Sequence, residues 1–271
     1  MKKNLITALK GFGMGAANVV PGVSGGTIAL ITGIYGKIIE SLNAIMTPSK
    51  WKTLDWGFLI SLGAGILVSI FSLAKLVTVC LENYPVQTWA FFFGLILVSA
   101  VIMLADIKGW RLKDVLLTLC GLAVGVVVCT LSPTETSDDL WFIFICGILG
   151  ICSMILPGLS GSFILLVLGK YDYIMGAIAE LNLPVLVVFA LGCGVGILAF
   201  AKILNWLLAR YERGTMLVLI GFVIGSLVKV WPWQEANGVA GGDLHIAGGI
   251  IWCLAGVALM AAIEFASKKK S

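Results

Sequence analysis

Apolar stretches alternate with short polar turns along most of the chain, and several exceed the ~18–20 residues a helix needs to cross a bilayer. Residues 5–20 are apolar and rich in glycine and alanine, and 27–46 resume the pattern after an interruption. Continuous spans are predicted at 56–81, 86–105 and 115–131, separated by the Glu82-Asn83-Tyr84-Pro85 turn and a basic loop at 108–113. An acidic stretch at 132–139, without lysine or arginine, precedes the apolar run 140–156. After a second interruption come 163–181 and then spans at 184–209, 215–230 and 246–265. The first of the long spans, 56–81, would measure about 39 Å as a helix and should tilt in an apolar layer about 30 Å thick.

The two interruptions share a motif. The first reads Pro21-Gly22-Val23-Ser24-Gly25-Gly26-Thr27 and the second Pro157-Gly158-Leu159-Ser160-Gly161-Ser162. Proline removes a backbone donor and clashes with the preceding turn, while glycine admits conformations a helix does not use, so both helices break here. Ser24 and Ser160 are placed to cap the half-helices that follow. A break inside a bilayer is costly unless the freed backbone groups are buried in protein or engage a ligand.

The duplication extends beyond the motif. Gly33 and Tyr35 match Gly169 and Tyr171 at the offset that separates Pro21 from Pro157. At a slightly shorter offset Lys75, Tyr84, Thr88, Gly94 and Ser99 match Lys202, Tyr211, Thr215, Gly221 and Ser226. Two halves are expected, 1–134 and 135–271, together forming one membrane domain. If each broken element is a re-entrant hairpin, each half crosses three times and the halves are inverted. Lys2, Lys3, Lys10, Lys37, Lys50, Lys52, Lys108, Arg111, Lys113, Arg210, Arg213 and the C-terminal lysines then share one side, which the positive-inside rule makes cytoplasmic. Lys170, Lys229 and the acidic stretch face the other side. The predicted fold is therefore an all-α polytopic membrane protein with an inverted-topology repeat, each half a re-entrant broken-helix hairpin plus three transmembrane helices. Both termini are expected to be cytoplasmic.

Composition supports this class: of 271 residues 60% are hydrophobic and 12% charged, against about 25% charged in soluble domains. Lys10 interrupts the N-terminal apolar run and no cleavage site follows, so a cleaved signal peptide is not expected. The seven cysteines form no CxxC pair and read as small hydrophobes, so neither metal nor cofactor is predicted. His245, the only histidine, reads as a solvated or capping residue. Glu40, Glu180 and Glu264 lie near segment ends and read as solvated, a coupling proton being the alternative role.

Two half-helix N-termini from inverted hairpins would direct backbone N–H groups, hydroxyls and positive dipole ends toward the bilayer middle, an arrangement suited to phosphate or carboxylate. The candidate substrate residues are Pro21, Gly22, Ser24, Gly25, Gly26, Thr27, Pro157, Gly158, Ser160, Gly161 and Ser162. The plain alternative is that each motif makes a tight turn and packs against its twin. Lys75 and Lys202 would receive an anion near opposite faces, or else snorkel to the interface. Asn18 would bind the anion or cap the broken backbone; its counterpart Met154 can do neither.

The paired motifs, with Tyr35 and Tyr171 downstream, resemble the bacterial PopT family of undecaprenyl-phosphate translocases, a family long catalogued as a domain of unknown function. The resemblance covers nearly the whole chain. It implies a plasma-membrane transporter that returns the C55 polyprenyl-phosphate carrier lipid to the cytoplasmic leaflet for cell-envelope synthesis, with that lipid and the bilayer as partners and no nucleic acid. The residues leave two rivals open. A polyprenyl-pyrophosphate phosphatase would need an arginine and acidic residues near the breaks, and no acidic pair lies close to either. An ion-coupled carrier of a small soluble anion could use the same site. A coupling proton or sodium ion and a homo-oligomer are compatible with the sequence, which specifies neither.

Overall fold

A computed structural model describes residues 2–19, 24–45, 47–133, 136–234 and 245–268. Eleven α-helices are described: α1 (Lys2–Val19), α2 (Gly25–Ile31), α3 (Tyr35–Ile45), α4 (Trp56–Asn83), α5 (Pro85–Ala105), α6 (Leu112–Cys129), α7 (Leu140–Ile155), α8 (Gly161–Val167), α9 (Tyr171–Ala179), α10 (Leu183–Ser226) and α11 (Ile246–Lys268). A 3-10 turn, Pro48–Thr53, joins α3 to α4, and no strand occurs among the described residues. Part of α4 (Trp56–Leu73), α5, α6 and α10 are long and apolar enough to cross a membrane, and the bent pairs α2–α3 and α8–α9 raise the number to six if each is one span. Only 17 to 39% of each of the four is buried inside the protein, so most of their apolar side chains face outward, as lipid-exposed helices require.

The arms that follow the two breaks, read from sequence as the apolar runs 27–46 and 163–181, are each two helices. Each bends a second time, by 118° between α2 and α3 and by 111° between α8 and α9. The cause is a glycine in the left-handed region, Gly33 (φ +69) and Gly169 (φ +65). In the first elbow the Gly33 N–H donates to the Leu30 carbonyl and the Ile34 N–H to that of Ala29; in the second, Gly169 donates to Leu166 and Lys170 to Leu165. Both are Schellman ends, which satisfy the last carbonyls of a helix only when one residue turns left-handed. The matched Gly33/Tyr35 and Gly169/Tyr171 pairs therefore mark a second break in each half.

α10 has 44 residues, about 66 Å at 1.5 Å per residue and twice the thickness of an apolar bilayer core. It is two helices joined at a kink, where Tyr211 takes φ −134, ψ 42. The matched Tyr84, between α4 and α5, takes φ −136, ψ 54. Thr88 Oγ1 donates across its turn to the Cys80 carbonyl (3.1 Å), and Thr215 Oγ1 spans the kink to the Leu207 carbonyl (3.3 Å). Positions matched in sequence thus share their local geometry.

The helices divide into two compact units, each drawing on both halves of the chain: Met1–Ile70 with Leu131–Thr215, and Phe71–Thr130 with Met216–Ser271. In the first unit α1 lies against α4, and α7 against the first limb of α10. A side-chain carbon on Gly11 or Gly65 would strike the Leu62 or Ala8 carbonyl, and one on Gly147 or Gly192 that of Phe189 or Phe144. Ile143, Ala177 and Val185 form a core beneath Tyr173 and Phe189. In the second unit α5 pairs with α11 and α6 with the last limb of α10, again through glycines set against a facing backbone: Gly94 on Cys253, Gly256 on Phe91, Gly121 on Val218 and Gly221 on Thr118. Without a hydrophobic force between helices in lipid, such close backbone approach is what holds them. Trp231 stacks edge-on against Phe93 and Trp233 at the end of this unit, in keeping with an interfacial anchor.

Candidate functional site

The second break is described in full. α7 stops at Ile155 because Pro157 offers no N–H and drives Leu156 into an extended conformation (φ −66, ψ 131). Gly158 turns left-handed at φ +90. Ser160 takes the extended conformation of an N-cap (φ −108, ψ 138), yet its side chain makes no capping bond. Its hydroxyl instead meets that of Ser162 at 2.7 Å. Pro157, Gly158 and Gly161 are buried, whereas Ser160 is half-buried and Ser162 exposed.

Of the first break, Pro21 and Gly22 lie outside the described residues. Ser24 caps α2 as predicted: it is extended (φ −110, ψ 134) and its Oγ accepts from the Gly26 N–H at 3.1 Å. The Gly25 N–H donates to Asn18 Oδ1 at 2.7 Å, and the Thr27 N–H to the Ser24 carbonyl at 3.0 Å. Asn18 thus caps the broken backbone, one of the two roles its position suggested. In the second half the equivalent place is filled by Met154, against which a carbon on Gly161 would collide.

The two breaks meet. Thr27 Oγ1 accepts from the Gly158 N–H at 2.8 Å, the Tyr35 hydroxyl donates to the Ile155 carbonyl at 3.0 Å, and Ser24 Oγ lies 3.4 Å from the Leu156 carbonyl. Ser24, Thr27 and Tyr35 are all buried. Tyr35 was legible as a repeat position, but nothing local said that its hydroxyl reaches the opposite break.

An ammonium group attends each elbow. Lys10 Nζ donates to the Thr32 carbonyl, the C-cap of α2, at 2.6 Å. The equivalent Leu168 carbonyl at the end of α8 accepts from Thr136 Oγ1, and Lys170 holds that segment through the Thr136 carbonyl (2.7 Å) and Asp138 (2.6 Å). Lys170 is only 4% exposed, so this ion pair is fixed at its cationic end. Sequence reading treated Lys10 and Lys170 only as charges; the elbow carbonyls they serve appear in the fold alone. Lys75 and Lys202 are exposed on the flanks of α4 and α10 and form no hydrogen bond or ion pair with a described residue. An open cleft of about 760 Å³ lies beside α3, lined by Lys37, Glu40, Lys50, Asp55, Asn205 and Glu212, with Lys37 paired to Asp55 at 2.6 Å. No group of residues suited to a metal ion occurs among those described.

The profile of the family described as VCA0040-like, undecaprenyl phosphate translocase-like, matches residues 14–242. A protein of Vibrio cholerae serotype O1 named polyprenyl-phosphate transporter is 45% identical over 243 residues, covering 85% of this chain and 79% of that protein. A Staphylococcus aureus protein of the same name is 34% identical over 251 residues, covering 86% of this chain and 88% of that one. Both names are those of transporters and not of enzymes. No solved structure matches. Nearly the whole chain, both breaks included, is covered by these likenesses, and the protein belongs to the VCA0040-like, undecaprenyl phosphate translocase-like family.

Proposed function

We propose that this protein carries a polyprenyl phosphate, in the first instance undecaprenyl phosphate, across the bacterial plasma membrane toward the cytoplasmic leaflet, returning the carrier lipid for cell-envelope synthesis. The observation that carries the reading is the meeting of two proline–glycine breaks beside an accessible hydroxyl pair, Ser160 and Ser162, in a chain of this family. A phosphate monoester in the apolar core must exchange water for fixed donors, since an unpaired buried charge is prohibitively costly. Hydroxyls at the breaks supply such donors, while the polyprenyl tail stays in lipid. The halves 1–134 and 135–271 are inverted repeats, and alternating access exposes the site to one face and then the other. The distribution of lysine and arginine supports cytoplasmic termini. Lys75 and Lys202 receive the headgroup at the two faces.

The test is leaflet-resolved movement of undecaprenyl phosphate in proteoliposomes, with and without proton or sodium gradients, alongside the Ser160→Ala/Ser162→Ala double variant. Movement by the native chain that falls at least tenfold in the variant, without release of inorganic phosphate from the pyrophosphate form, is the expected result. A folded protein that leaves the lipid in place but moves inorganic phosphate would make it a soluble-anion carrier instead.

A further inference from the structure

The second break is held together by residues of the first half. Where α7 ends, the carbonyls of Ile155 and Leu156 lose their helical partners, because Pro157 has no N–H and the chain turns at Gly158. The Tyr35 hydroxyl takes the first of these carbonyls, Ser24 Oγ approaches the second, and Thr27 Oγ1 accepts the Gly158 N–H. Gly26 makes room for the approach: a side-chain carbon there would stand 3.1 Å from the Ile155 oxygen and 3.3 Å from the Leu156 oxygen. Tyr35, Ser24 and Thr27 are 3, 3 and 1% exposed. The relation is one-sided, because the position equivalent to Thr27 is Phe163, whose side chain has no oxygen to accept a backbone proton. The donors of α2 are also engaged, Gly25 by Asn18 and Gly26 by Ser24. In the second copy the hydroxyls of Ser160 and Ser162 bond to each other and remain accessible.

We infer that the two copies of the motif divide the work. Ser24, Gly26, Thr27 and Tyr35 are positioning residues that clamp the Pro157–Gly158 turn, and the lipid phosphate is contacted by Ser160 and Ser162. The second clause rests on the transporter reading; the clamp does not. The clamp fixes a left-handed glycine turn whose carbonyls would otherwise compete with the phosphate for the serine hydroxyls. The extended serine and the short helix after it are therefore repeated, but not their chemistry.

Two measurements on the full chain test this. Hydrogen exchange across Gly158 is followed in the native protein and in Thr27→Val, Thr27→Ser and Tyr35→Phe. The Gly158 amide should exchange at least tenfold faster in Thr27→Val and recover in Thr27→Ser, while Tyr35→Phe, which keeps the ring, should also quicken exchange in this turn. Unchanged exchange in both Thr27→Val and Tyr35→Phe would overturn the clamp. Thiol labelling of Ser24→Cys and Ser162→Cys in proteoliposomes, read peptide by peptide with and without undecaprenyl phosphate, locates the contact. Labelling only at residue 162, blocked by the lipid, is expected. Labelling at residue 24 that the lipid blocks would overturn the division of work. Absence of protection at residue 162, with the exchange effects intact, would refute the headgroup contact and leave the clamp standing.

Discussion

Lys170 and Asp138 show how unequal the partners of one ion pair can be. The ammonium is almost wholly buried, with its side chain 5% exposed, whereas the carboxylate is 64% exposed. Removing Lys170 leaves Asp138 to water, but removing Asp138 leaves a buried cation without its anion, the more expensive omission. Asp138→Asn should therefore lower stability by roughly 2–3 kcal/mol and Lys170→Met by about 1 kcal/mol or less, an order that thermal unfolding in detergent would check. The reverse order would show that the Thr136 carbonyl alone satisfies the ammonium. Asn18 poses a similar question of role. Its one described bond caps Gly25, so Asn18→Ala should cost about 0.5–1.5 kcal/mol of stability even in the absence of lipid. An unchanged melting temperature with lost transport would instead make it a substrate ligand.

At the scale of elements, each arm after a break is two short helices joined by a left-handed residue. Gly33 has open space where a side chain would sit, so its requirement is conformational and not steric. Gly33→Ala should destabilise by about 1–2 kcal/mol through the left-handed penalty alone. α9 ends in the same way, with the Asn182 N–H reaching the Ala177 carbonyl, but its left-handed residue is Leu181 at φ 55. Leu181 is 72% exposed and contributes little packing, so Leu181→Gly should raise stability by up to about 1 kcal/mol, measured in the same unfolding assay. Opposite signs for the two substitutions would identify backbone conformation as the quantity that sets these elbows.

For the molecule as a whole, the question is which way the charged ends face. Cysteines placed at Arg111 and Arg213 should be labelled by an impermeant reagent from the cytoplasmic side, and one at Ser137 from the outside. Labelling of all three from one side would dismiss the inverted arrangement. The membrane class, the two breaks and the serine cap of α2 were legible in the sequence, because each follows from local chemistry: apolar length, a missing N–H, a short hydroxyl side chain beside a helix start. The second elbows were visible only as matched glycine–tyrosine pairs, since glycine permits a left-handed turn without requiring one, and apolar patterning runs straight through the bend. The separation of spans at Tyr211 was legible, because Arg210, Glu212 and Arg213 interrupt the apolar pattern there. Tertiary structure alone decided which groups meet. Thr27 faces Gly158, Tyr35 faces Ile155 and Lys170 faces Asp138 because positions more than thirty residues apart are folded together. No property of a hydroxyl or an ammonium announces its partner before the backbone has placed both.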